Sequence, residues 1–277
     1  MATTDKRLDI SELDFDDIKT NLKTFLRNQT EFTDYDFEGS GMSSLLDLLS
    51  YNTHYLSMNA NLLANEMFID TASLRSSVVS HAKTLGYTPR SVRAPQATVD
   101  ITLNDTSVTT ATLARGTKFS TVVNDVTYNF LVNTARTKSR VDNVLTFDNV
   151  VLYEGSLITT RYTADSTNVD QRFIIPDSNA DTTTLTVSVQ NSSTDTTTTV
   201  FTLATDISQV SDTSNSYFLQ EIENGQFEVY FGDGVIGKAL TDNNIVILEY
   251  IVTNKSASNG ASTFTPPGSI SGSSDNS

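Results

Sequence analysis

No cysteine and no tryptophan occur among the 277 residues, and there are only two histidines and five prolines. Without a thiol there is no disulfide framework, no thiolate metal site and no cysteine nucleophile. His54 and His81 have no second histidine or cysteine at ligand spacing, so each is read as a hydrogen-bonding packing residue, and no metal site is expected. Positive charge is scarce: 18 Lys plus Arg face 33 Asp plus Glu, a net charge of −15. Phosphate backbones are bound mainly through Lys and Arg, so no nucleic-acid partner is expected. Long apolar runs are also missing. The first ten residues lack the apolar core of a signal peptide, and nothing approaches the ~18 apolar residues of a membrane span. The expectation is a chain made in a cytosol, with no membrane insertion. No G-x-S-x-G elbow or other nucleophile signature appears, and no catalytic residue is assigned.

What the chain does have is the stretch Phe227-Glu-Val-Tyr-Phe-Gly-Asp-Gly-Val-Ile-Gly-Lys238. Gly232, Gly234 and Gly237 satisfy the spacing of a dinucleotide fingerprint, and Gly232 to Lys238 that of the first seven P-loop positions. Both motifs need a helix opening directly after the glycines, because the phosphate sits on its free N–H groups. Here a turn-rich stretch follows, then the strand-like run Ile245 to Val252. The eighth P-loop position is Ala239, without a hydroxyl for Mg²⁺, and ~20 positions on stand Asn254 and Lys255 in place of a ribose-binding acid. The spacing is better read as a hairpin turn at 231–237. Its glycines supply positive φ and Asp233 bonds the backbone. One aspartate between glycines is no calcium site, and no cofactor is expected.

Charge and periodicity divide the chain. Up to about residue 95 there are 9 basic and 13 acidic residues, and beyond it 9 and 20. Phe15, Ile18, Leu22, Phe25 and Leu26 recur at helical spacing behind the capping residue Asp14. A second helix is predicted from Gly41 to about Phe68, on the order of 40 Å long at 1.5 Å per residue. In it Leu49, Leu56 and Leu63 repeat every seven residues, as do Leu48, Tyr55 and Leu62, with Asn52 and Asn59 on the adjoining row. Heptads imply a helical partner, and polar residues beside such a seam can set register. Leu45, Leu48, Leu49, Asn52, Tyr55, Leu56, Asn59, Leu62 and Leu63 are therefore the candidate partner interface, with packing inside the chain as the open alternative. A third helix, capped by Asp70 or Thr71, carries Leu74, Val78, Ala82 and Leu85 and ends at Gly86. Tyr87 to Pro95 reads as a linker.

Beyond it the period becomes two, as in Val99/Ile101/Leu103, Tyr128/Phe130/Val132 and Leu185/Val187/Val189. Further strands are predicted at 144–153, 157–163, 172–175, 200–203, 217–221, 227–231 and 245–252, with polar loops at 163–171 and 190–199. The fold class is α+β: a bundle segment of three helices, residues 1–90, then a mainly antiparallel, sandwich-like or barrel-like region, 91–255. Residues 256–277, rich in Ser and Gly, read as a disordered tail or a truncated linker.

The ordered set Leu13–Leu26, Asp34–Gly41, Leu45–Tyr55, Ala64–Ala72, Val79–Arg90, Ala114–Phe119, Tyr153–Gly155, Phe231–Gly237 and Asn259-Gly260 resembles the J-like baseplate wedge proteins of contractile-tailed bacteriophages, especially the wedge subunit of the large myoviruses. The resemblance implies a structural virion protein of the tail baseplate. It would bundle with other wedge proteins and a second copy of itself, and help relay host attachment to the sheath. Related subunits run on past the glycine-rich stretch, so the chain is expected to lack a C-terminal part. Two other readings stay open: a nucleotide-binding enzyme using Gly232 to Lys238, and a host-binding adhesin suggested by the Thr-rich acidic β region.

Overall fold

Asp14 caps the first helix, α1 (Phe15–Arg27), its Oδ1 accepting from the amides of Asp16 at 2.8 Å and Asp17 at 3.2 Å. The computed structural model describes residues 14–29, 31, 39–104, 108–141, 144–168, 170–222 and 225–270. Leu13, most of the stretch 31–40 between the first two helices and the end of the expected tail, 271–277, lie outside the described residues. Ser40 caps α2 (Gly41–Glu66), its Oγ accepting from the Ser43 amide at 3.0 Å. The third helix, α3 (Arg75–Thr84), ends in a Schellman turn, with Gly86 at φ +73° and the Tyr87 amide bonded to the Ala82 carbonyl at 3.0 Å. The expectation that Asp70 or Thr71 caps α3 is corrected. Its start is held instead by the Glu66 carboxylate, which reaches across the turn to the amides of Ser73 at 2.9 Å and Leu74 at 3.2 Å. Thr71 points its hydroxyl back to the Asn65 carbonyl.

The chain divides into two compact units, residues 1–88 and 89–277. In the second, period-two alternation becomes sheet. Strands β1 (Gln96–Leu103), β3 (Lys118–Val123), β4 (Val126–Val132) and β6 (Leu145–Glu154) form an antiparallel sheet in the order β1-β6-β4-β3, and β2 (Thr110–Leu113) pairs with β5 (Arg136–Ser139). Asn124 and Asp125, both at positive φ, turn β3 into β4. A larger sheet follows in the order β7-β13-β9-β10-β11-β12-β8, made of β7 (Ser156–Thr163), β8 (Phe173–Ile175), β9 (Ala180–Gln190), β10 (Thr198–Leu203), β11 (Ser216–Glu221), β12 (Phe227–Phe231) and β13 (Ile245–Val252). Its pairs are antiparallel except β10 with β11. The sheet curls until its two edges meet. Tyr162 of β7 donates its hydroxyl to the Ile174 carbonyl of β8 at 2.5 Å, and the Tyr162 and Phe173 rings lie 5.7 Å apart. Inside the curl Phe173, Val187, Phe227, Val229, Leu248 and Tyr250 are buried together, while Leu103, Leu113, Phe130, Leu145 and Leu152 build a second core under the smaller sheet.

Two expectations are revised. The stretch 231–237 is no hairpin: β12 is flanked by β11 and β8, and β13 by β7 and β9, so neither has an edge free for the other. The glycines instead open a crossover between distant places in the sheet. The reading of residues 256–277 as a tail is corrected as far as Ile270, which is buried in the smaller core. On the way Thr265 exchanges both backbone bonds with Ser120 of β3, and Phe264 stacks edge-on against Phe130 at 5.0 Å. Two well-placed apolar residues anchor a segment whose composition is otherwise polar.

Candidate functional site

On a helix each residue turns by 100°, so Ser43, Leu46, Ser50 and Asn61 form one stripe, and these are the buried residues of α2. The leucine rows lie on the opposite side. Leu48, Leu56 and Leu63 are 63%, 60% and 69% exposed, and Leu45, Leu49, Tyr55 and Leu62 are exposed with them. Asn52 and Asn59 are exposed on the same side. The predicted interface residues thus share one uncovered face, and the helix is turned nearly inside out: Ser43, Ser50 and Asn61 are packed with Leu46, while its other leucines meet solvent. Within the unit α1 packs on α2, with Ile18 buried and Lys19 paired to Asp47 at 2.5 Å. Scattered exposed leucines are ordinary, but a contiguous apolar face marks an interaction surface. Tyr51 extends this face, its ring 4.7 Å from that of Tyr55 with the hydroxyls bonded at 3.1 Å. That neighbour was missed because it lies outside the heptad rows.

The α2–α3 corner is electrostatically fixed. Besides the two amides, the Ser73 hydroxyl donates to Glu66 at 2.7 Å, and these bonds hold the half-buried Glu66 carboxyl down at about 2. His81 donates Nε2–H to the Glu66 carbonyl at 2.9 Å, which makes it a packing residue of the corner.

At the glycine crossover, Gly234 and Gly237 have φ of +87° and +86°, as expected of a turn. Gly232 is required for a different reason: a Cβ there would collide with the carbonyl oxygens of Ile236 and Gly237. Asp233 Oδ1 accepts from the amides of Val235 at 2.9 Å and Ile236 at 3.0 Å, which lowers its pKa. The loop is tied outward through Gly237 and Lys238, whose amides bond the Ser211 and Ser214 carbonyls. Strand β13, with no intervening helix, follows the loop, so the phosphate-binding geometry of either nucleotide motif is not built.

Sequence reasoning passed over three polar residues that join the two sheets. Glu154, fully buried at the end of β6, accepts from Thr253 Oγ1 at 2.6 Å and from the amide and Nδ2 of Asn254 at 2.9 and 2.7 Å. Buried Asp181 accepts from the Ala94 amide at 2.9 Å and from Thr183. Arg115 donates to the Thr184 carbonyl at 2.8 Å and to Thr186 Oγ1, beside Glu249 at 3.5 Å, and burial lowers its pKa. Gly155, at φ +133°, turns the chain from one sheet to the other where a Cβ would strike the Val252 carbonyl. Composition hides such residues, since one more acid in an acidic chain carries no signal. Among the described residues no His, Asp or Glu cluster could hold a metal ion, and no helix is long and apolar enough to cross a membrane.

An uncovered helix face on one unit and a stapled β unit beyond it are features of an assembly protein. Residues 14–87, most of the helical unit, match the family described as baseplate wedge protein gp6-like, helical domain. Over 269 residues the chain is also 33% identical to baseplate wedge protein gp6 of Enterobacteria phage T4, a match covering 90% of this chain and 40% of that protein. The chain is a relative of that wedge protein and spans about two-fifths of its length. The family resemblance read from the residues stands.

Proposed function

We propose that the chain is a structural, non-catalytic component of a phage tail baseplate wedge, assembled in the host cytoplasm and retained in the virion. The uncovered leucine face of α2 carries this reading, in a unit whose residues 14–87 match the model of a wedge helical domain. Leu45, Leu48, Leu49, Asn52, Tyr55, Leu56, Asn59, Leu62 and Leu63 dock the helices of other wedge proteins and of a second copy. Gly232, Asp233, Gly234 and Gly237 act as structural turn residues. The stapled β unit is the rigid body through which host attachment is relayed toward the sheath.

The test is co-expression with the other wedge proteins of the same phage, followed by co-purification. Leu56→Asp puts a charge where burial offers it no partner and is expected to abolish the complex. Undiminished assembly of a folded Leu56→Asp chain would sink the reading. For the nucleotide alternative, ATP or NAD at 100 times its dissociation constant would add ~2.7 kcal/mol of stability. The expected outcome is no melting shift.

A further inference from the structure

The larger sheet leaves an opening at one end of its curl, a cavity of about 250 Å³. Its inner wall is apolar. Phe173 and Phe231, with rings 5.5 Å apart, and Leu240 carry the main core up to the opening. Its rim is polar and one-signed: Asp165 and Asp233 line it, and among the described residues no Lys, Arg or His does. Each of these aspartates spends one oxygen on its own loop. Asp165 Oδ1 accepts from the amide and hydroxyl of Thr167, Asp233 Oδ1 from Val235 and Ile236. The second oxygen of each has no partner among the described residues. These bonds also lower both pKa values, so the rim is anionic at neutral pH.

We propose that this mouth is a binding site for a small organic amine, its apolar body against Phe231 and Leu240 and its ammonium between Asp165 and Asp233. A concave apolar site with a few convergent polar groups is the usual form of a small-molecule pocket, and the mouth of a curled sheet is a common place for it. The charge decides the class. An ammonium gains from both carboxylates and from an aromatic wall, whereas a carboxylate or phosphate is repelled. The glycine stretch that matches a phosphate fingerprint by spacing therefore borders a site that rejects phosphate. This assignment is independent of the wedge reading.

Isothermal titration calorimetry on the full chain tests it with three probes of one shape: phenethylamine, 2-phenylethanol and phenylacetate. Phenethylamine is expected to bind one-to-one, 2-phenylethanol about ten-fold more weakly and phenylacetate not at all. Ala239→Trp, on the exposed rim, fills the mouth and removes amine binding while the melting temperature holds. Asp233→Asn keeps the Oδ1 acceptor of the loop and weakens the amine about five-fold, as does Asp165→Asn. N-acetyl-lysine amide as a fourth probe separates the sources: tighter binding than phenethylamine assigns the ammonium to a protein side chain, weaker binding to a free amine. No saturable heat with either amine, equal binding of phenylacetate, or full binding to folded Ala239→Trp would overturn the proposal.

Discussion

The two units solve opposite problems. Among the described residues the helical unit buries four hydrophobic side chains, Ile18, Leu46, Val79 and Ala82, and leaves the other leucines of α2 in solvent. The β unit closes two cores and ties its parts together with buried Glu154 and Asp181 and half-buried Arg115. A unit with so little core would gain most from a partner covering it, because one that binds only the folded form stabilises by mass action. A unit that closes two cores of its own has no such need. The contrast teaches that exposed apolar area and closed cores are complementary signs, one of a part with surface left to cover and the other of a part that holds its own shape.

The sharpest way to break this comparison is at the corner between the sheets. Gly155→Val forces a side chain into a positive-φ position against the Val252 carbonyl, and should cost the β unit about 3 kcal/mol or more. Urea unfolding followed by tyrosine fluorescence would read it, and a change under 1 kcal/mol would show that the corner relaxes. Glu154→Ala leaves the buried Thr253 hydroxyl and the part-buried donors of Asn254 without their acceptor and should cost about 2–3 kcal/mol. Circular dichroism melting in the β-sheet region checks that loss. Gly234→Val, at a φ of +87° but with room around it, should cost about 1–3 kcal/mol and so fall below Gly155→Val.

The helical unit should respond differently. Leu56→Asp replaces an exposed residue and should leave the melting temperature of the isolated chain unchanged, within about 0.5 kcal/mol. Its effect belongs to assembly. A large loss of stability would mean that the leucine face is covered within the chain.

The smallest effect is a pH response at Glu66. Its folded pKa of about 2 lies below the ordinary glutamate value of 4.5, so its contribution is present above that value and is lost as pH falls from about 4.5 through 2. Helicity followed at 222 nm should drop over that window, and Glu66→Gln should flatten the drop. An identical titration in Glu66→Gln would assign it to other carboxylates.

Local chemistry made much of the fold legible. Asp14 capping α1, Gly86 ending α3, and the alternation of Ile101 with Leu103 or Val187 with Val189 follow from hydrogen bonding, glycine freedom and the two-residue pleat, all of which act between near neighbours. The heptad rows of α2 were legible for the same reason. Strand β5 was not, because its four residues are all exposed and carry no alternation. The linker was only partly legible: Ala94 and Ser91 are bonded to Asp181 and Thr182, so the stretch after Arg90 is fixed to the β unit.

Sequence alone determined that Gly234 and Gly237 turn the chain and that Leu48, Leu56 and Leu63 share a helix face, because both are matters of backbone geometry within a few residues. Only the tertiary structure decided that this face stays uncovered and that β12 and β13 lie apart in the sheet. It also decided that Glu154 meets Asn254 across a hundred residues of chain. Pairing partners and burial depend on which distant segments compete for each edge and each acceptor, and that competition leaves no local mark.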